Sequence, residues 1–148
     1  MKWMKSSKIS LNNLNTLNNL MRKEIILIDD DPILRLIIQK MIHQIDSSII
    51  CYHCENGEVG LNVLEPFFNL NRPIMVLLDI NMPILDGWSF LDILENKDFN
   101  TLKNIHLYIV SSSTDESDKL RASNYGLVKK LFHKPLYKEG ILEILNGQ

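Results

Sequence analysis

The chain has 148 residues, the size of one domain, and its 45% hydrophobic and 23% charged content is that of a folded protein, not a fibre or linker. Its longest apolar runs, about five residues, fall far short of the ~20 that span a bilayer. With two cysteines and no secretory signal, we expect a cytoplasmic protein without a disulfide framework. The net charge of −2 is unevenly spread. Positions 1–22 hold Lys2, Lys5, Lys8 and Arg22 and no acid, leaving 12 basic against 18 acidic residues in the rest. So acidic a body argues against direct DNA binding, which needs clustered Lys and Arg.

Positions 1–23 form a leader of distinct composition. Asn12, Asn13, Asn15, Asn18 and Asn19 oppose a helix, and Leu11, Leu14, Leu17 and Leu20 recur at a three-residue spacing that drifts around a 3.6-residue turn. The segment reads as a frayed or disordered leader, or as lying ahead of a natural start at Met21. No membrane attachment is expected from it.

From Glu24 onward, strand and helix patterns alternate. Ile25–Ile28 and Ile74–Leu78 are continuous apolar runs of strand length, as in a sheet covered on both faces. Ile49–Cys54, Ile105–Val110 and Leu127–Phe132 are weaker strands, the last carrying Lys129 and Lys130 as a sheet edge does. Helices are expected over about 32–45, 57–68, 86–96, 115–125 and 137–146. The first has Asp31 as N-cap, Pro32 at the first helical position and an apolar face of Leu34, Ile37, Ile38, Met41 and Ile45, with Arg35, Gln39 and His43 opposite. For the fourth, Ser113 or Thr114 suits the cap. Five βα units argue for a doubly wound α/β sheet. The body occupies 24–146, and its end just after the fifth helix leaves an attached output domain unexpected.

In such a sheet, ligands sit beyond the carboxyl ends of the strands. Those ends deliver Asp29-Asp30-Asp31, His53-Cys54, Asp79, Ser111-Ser112 and His133-Lys134-Pro135. Gathered carboxylates repel unless protonated or bridged by a cation, and oxygen ligands alone favour magnesium with a phosphate. A hydroxyl and an ammonium beside them complete the parts for phosphoryl transfer onto a carboxylate. Cys51-Tyr52-His53-Cys54 lacks the further ligands of a zinc site, and alternation puts Cys51 and His53 on one face and Cys54 on the other.

The elements Asp29-Asp30-Asp31-Pro32, Leu78-Asp79-Ile80-Asn81-Met82-Pro83 with Asp86-Gly87-Trp88, Val110-Ser111-Ser112 and Lys134-Pro135-Leu136 resemble, in order and spacing, the response-regulator receiver domains of two-component signalling. The resemblance covers 24–146 and implies a flavodoxin-like five-stranded parallel sheet of order 2-1-3-4-5 with five helices. It implies Asp79 as phosphoacceptor. Magnesium would be held by Asp30, Asp79 and the Asn81 backbone carbonyl, with Asp29 bound mainly through water. Ser111 would bond a phosphoryl oxygen and Lys134 would pair with the aspartyl phosphate. It also implies a cis Lys134–Pro135 bond, a positive φ at Gly87, and Asn81 and Ser113 as tuners of phosphate lifetime.

By the same resemblance the donor is a sensor histidine kinase or a histidine phosphotransfer protein, and the output is a contact with an unnamed downstream protein. The chain would be a monomer or a phosphorylation-dependent dimer. It would catalyse only its own phosphorylation and slow self-hydrolysis. Lys119, Arg121, Lys129, Lys130 and Lys138 cluster on the last two helices and strand, which reads either as a partner face or as a solvated surface. One departure is Leu131, three positions before the lysine, where receivers usually carry an aromatic switch residue; Phe132 is expected to face the other way. A haloacid-dehalogenase-like phosphatase would use Asp29 and Asp31 as an Asp-x-Asp pair, but Pro32-Ile33 stands where Gly-Thr belongs. A purely structural receiver would lack one of the acids, Asp79 or Lys134.

Overall fold

The computed structural model describes residues 22–147 together with Asn13 and Leu14, so the expectations for the leader lie almost wholly outside the described residues. From Glu24 on, the chain runs β1 (Glu24–Ile28), α1 (Pro32–Ile45), β2 (Ile50–Cys54), α2 (Gly57–Leu64) with a 3-10 turn at Glu65–Phe67, and β3 (Ile74–Leu78). It continues as α3 (Gly87–Glu95), α4 (Phe99–Leu102), β4 (Ile105–Ser111), α5 (Glu116–Ser123), β5 (Val128–His133) and α6 (Lys138–Asn146). All pairings are parallel, in the order β2-β1-β3-β4-β5. This is the expected flavodoxin-like sheet, with six helices among the described residues from Glu24 on instead of five. The extra one, α4, is a single turn capped by Asp98 that buries none of its residues, too short to show a period in the sequence.

β1 and β3 are buried at every position because helices cover both faces. On one face Ile26, Ile28, Val76, Leu78, Leu107 and Ile109 meet Leu64 of α2, Phe90, Leu91 and Leu94 of α3 and Ala122 of α5. On the other, Ile25, Leu27, Met75, Leu77, Tyr108 and Val110 meet Ile38 and Ile42 of α1 and Ile141, Ile144 and Leu145 of α6. The expected α1 face is corrected at Ile37, which is 48% exposed, while Ile42 is fully buried. Ile38 and Ile42, four residues apart, aim at the sheet, which turns Ile37 outward.

Carboxylates and one amide cap the helices from α1 to α5, while α6 starts at Tyr137 without a side-chain cap. Asp31 Oδ1 accepts from the amides of Ile33 and Leu34, Asn56 from Val59, Asp86 from Ser89 and Asp115 from Ser117. The cap of α5 is therefore Asp115, not Ser113 or Thr114; Ser113 Oγ instead accepts from the Asp115 amide. Each cap satisfies an amide that the helix leaves open. At the opposite edge of the sheet from the strand-end acids, buried Glu24 pairs with Arg72 at 2.9 Å and accepts from the Tyr52 hydroxyl.

Candidate functional site

The parallel ladder carries β1 and β3 to their ends side by side: the Asp79 amide donates to the Ile28 carbonyl and the Asp29 amide to the Cys54 carbonyl. Asp29 and Asp79 are thereby held as buried neighbours, 6% and 5% exposed, while Asp30 faces solvent. Carboxylate oxygens of the three lie within 4.8 Å of one another. Burial and the charge of Asp29 raise the Asp79 carboxyl above the ordinary carboxylate range, against the lowering effect of Lys134 and the Ile80 amide. The site thus concentrates more negative charge than its own lysine cancels.

Lys134 reaches this point because β5 runs beside β4, where the Lys134 amide donates to the Ser111 carbonyl at 2.8 Å. Its Nζ lies 2.8 Å from Asp29 Oδ2 and 3.4 Å from Asp79 Oδ1. Burial alone would lower the Lys134 ammonium, but Asp29 and then Asp79 outweigh it and raise it. The Lys134–Pro135 bond is cis, as the resemblance implied. Ser111, at the end of β4, is 1% exposed and its Oγ accepts the Ser113 amide. Asn81 is exposed two residues beyond Asp79.

One expectation for the loop after β3 changes. Gly87 does not take a positive φ; the residue that does is Ile84, at 70°. Leu85 N donates to Pro83 O at 2.8 Å, so Ile84 is the centre of a tight γ-turn, a strained place for a β-branched residue. Gly87 is required for space: a Cβ there would stand 2.5 Å from the Asp79 carbonyl oxygen and 2.8 Å from the Ile80 Cα. Asp31 is spent on capping α1, which removes it from an Asp-x-Asp pair.

The sequence did not single out Arg35. Helical side chains lean toward the N-terminus, and from one turn into α1 its Nη1 donates to the Asp29 carbonyl. Its position five residues after Asp30 is the only signal, and by spacing alone it reads as a solvated face. The Cys-Tyr-His-Cys run builds no metal site. Burial pushes both thiols up to about 11, and His53 is engaged with Gln39. Leu131 packs against the α2–α3 core and Phe132 against the α1–α6 core, opposite ways as alternation requires.

The donor set fits a magnesium ion, being all oxygen and carrying a charge excess that a divalent cation would relieve. No helix among the described residues is long and apolar enough to cross a membrane. Residues 25–146 match the family described as the response regulator receiver domain. The chain is 30% identical over 122 residues to the nitrate/nitrite response regulator protein NarL of Escherichia coli, an alignment covering 82% of this chain and 52% of that protein. It thus spans about half that relative's length. Among solved structures, a two-component response regulator from Cytophaga hutchinsonii superposes with a TM-score of 0.76 at 24% identity, over 85% of this chain and 96% of that one. Chemotaxis protein CheY4 of Vibrio cholerae superposes at 0.69 and 17% identity, over 85% and 98%, and both likenesses speak for the fold. With nearly all of the body from β1 to α6 matched, the chain belongs to the response regulator receiver domains of two-component signalling.

Proposed function

We propose that Asp79 accepts a phosphoryl group from a phosphohistidine of a sensor histidine kinase or histidine phosphotransfer protein, with Mg2+ bound by Asp29, Asp30, Asp79 and the Asn81 carbonyl. One observation carries this reading: three carboxylates lie within 4.8 Å of one another, and a single lysine contacts the two buried ones. Magnesium would supply charge neutralisation for the incoming phosphoryl oxygens.

The residues divide the remaining work. Asp79 Oδ1 accepts the Ile80 amide at 2.9 Å and faces Lys134, whereas Oδ2 has no donor among the described residues. Oδ2 is therefore the nucleophile. A P–O bond forms there as the P–N bond breaks, and its electron pair leaves on the imidazole nitrogen of the donor. Lys134 and the Ile80 amide at Oδ1 favour the ionised, nucleophilic form of the carboxyl, against the burial and the Asp29 charge that raise it. Once the phosphoryl group is in place, Lys134 exchanges part of its pairing with Asp29 for the new oxygens. The Ser111 hydroxyl turns its donor to the same group. Both sit at strand ends, so their shift is transmitted to β4 and β5 and the helices that follow. A switch of a few kcal/mol between two states suffices for signalling. The output is a contact with a downstream protein, without direct DNA binding by this body and without turnover beyond slow self-hydrolysis.

The test is incubation with acetyl phosphate and Mg2+, read by phosphate-affinity gel mobility and intact mass. The expected result is one added phosphoryl group, lost with chelator and lost in Asp79→Asn. A modification of the same size persisting in Asp79→Asn would overturn the assignment.

A further inference from the structure

The carbonyl of Asp29 lies where β1 runs out of sheet partners. The ladder closes with the Asp29 amide on Cys54 and the Ile28 carbonyl on the Asp79 amide. The next acceptor, the Asp29 oxygen, is taken by Arg35 Nη1. Asp29 is then engaged at every polar atom, since Oδ1 accepts the Asp31 amide at 2.9 Å and Oδ2 the Lys134 ammonium at 2.8 Å. Asp30 is in the opposite situation. Its exposed carboxylate has no side-chain hydrogen bond among the described residues, so its direction depends on the peptide that joins it to Asp29. The Arg35 side chain also bears a cost in this place, because its Nε is buried without a partner. An incidental surface arginine would turn outward.

We propose that Arg35 is a positioning residue for the cation site: by holding the Asp29 carbonyl it fixes the 29–30 peptide and so aims the Asp30 carboxylate at the ion. This rests on the magnesium reading above. A role as a mere charge makes the opposite prediction. A guanidinium on the Asp29 carbonyl repels a divalent cation at the neighbouring acids, so its removal would tighten binding. Removal of a positioning bond weakens it, as loss of an outer partner of a metal ligand does.

The experiment is Mg2+ titration of the purified chain by calorimetry, with a chelator-treated urea melt of each variant to establish folding. Arg35→Met removes both donor and charge, and Arg35→Gln removes the charge and shortens the reach while keeping a polar side chain for folding. We expect Mg2+ affinity to fall about tenfold in either one that folds. Ile33→Ala, an exposed change on the same helix, leaves it unaltered. Affinity in folded Arg35→Met or Arg35→Gln that equals or exceeds that of the wild type overturns the proposal. A wild-type chain that takes up no Mg2+ overturns the reading beneath it, a separate and distinguishable result.

Discussion

Asp79 carries the clearest pH signature at the scale of single residues. Burial and the Asp29 charge raise its carboxyl in the folded chain, so the folded state holds the proton to higher pH than the unfolded chain. Below the ordinary carboxylate value, about 3.9, both states are protonated and no penalty exists. As pH rises past it, the unfolded chain releases its proton first, and stability falls until the raised folded value is passed. Asp79→Asn removes this penalty while its amide oxygen can still accept the Ile80 amide, and Lys134 keeps Asp29. The metal-free Asn variant should therefore be more stable than the wild type at pH 7, with the gap closing toward pH 4. Urea melts in chelator from pH 4 to pH 8 check it. Equal midpoints at pH 7, or a gap that widens on acidification, would refute the charge argument.

At the scale of elements, α3 is joined to the site by contact and not by side-chain chemistry. Gly87 opens the helix, donates its amide to the Ile80 carbonyl at 2.8 Å and lies against the Asp79 backbone. Gly87→Ala forces backbone against backbone and should cost about 1–3 kcal/mol. Gly126→Ala, where a Cβ meets nothing within 4 Å, should stay within about 0.5 kcal/mol, and paired urea melts decide. The sequence carried the need for glycine at position 87 but not its cause, because φ is set by the loop. The turn strain went to Ile84, whose neighbour Leu85 is clamped by the Gly57 amide on its carbonyl. Strand positions were legible to within a residue or two because apolar runs and caps are local signals. Position 31 shows this best, where Asp followed by Pro marks the start of α1 in the sequence and in the fold. Arg35 and the pairing of Lys134 with Asp29 were not legible in detail, since the direction of a side chain depends on packing between distant segments.

At the scale of the whole molecule, the sheet separates two apolar cores, and the acid cluster sits on the edge where the strands common to both cores end. There Asp79, ionised against burial and the Asp29 charge, works against folding, and a bound cation would offset that cost. Any ligand held only by the folded state adds RT ln(1 + [L]/Kd), about 2.7 kcal/mol at a hundredfold excess over Kd. Under the magnesium reading, the wild-type urea midpoint should climb with Mg2+. Above Kd the rise should approach about 1.4 kcal/mol for each tenfold step in concentration. Asp30→Asn removes a solvent-facing carboxylate that this reading assigns to the ion, without emptying the core, so it should fold and lose most of the response. KCl at matched ionic strength separates specific binding from screening, which acts on all exposed charges alike. If KCl reproduces the climb, or if Asp30→Asn keeps it in full, the ion is not held by these carboxylates and the stabilisation comes from screening of an acidic surface.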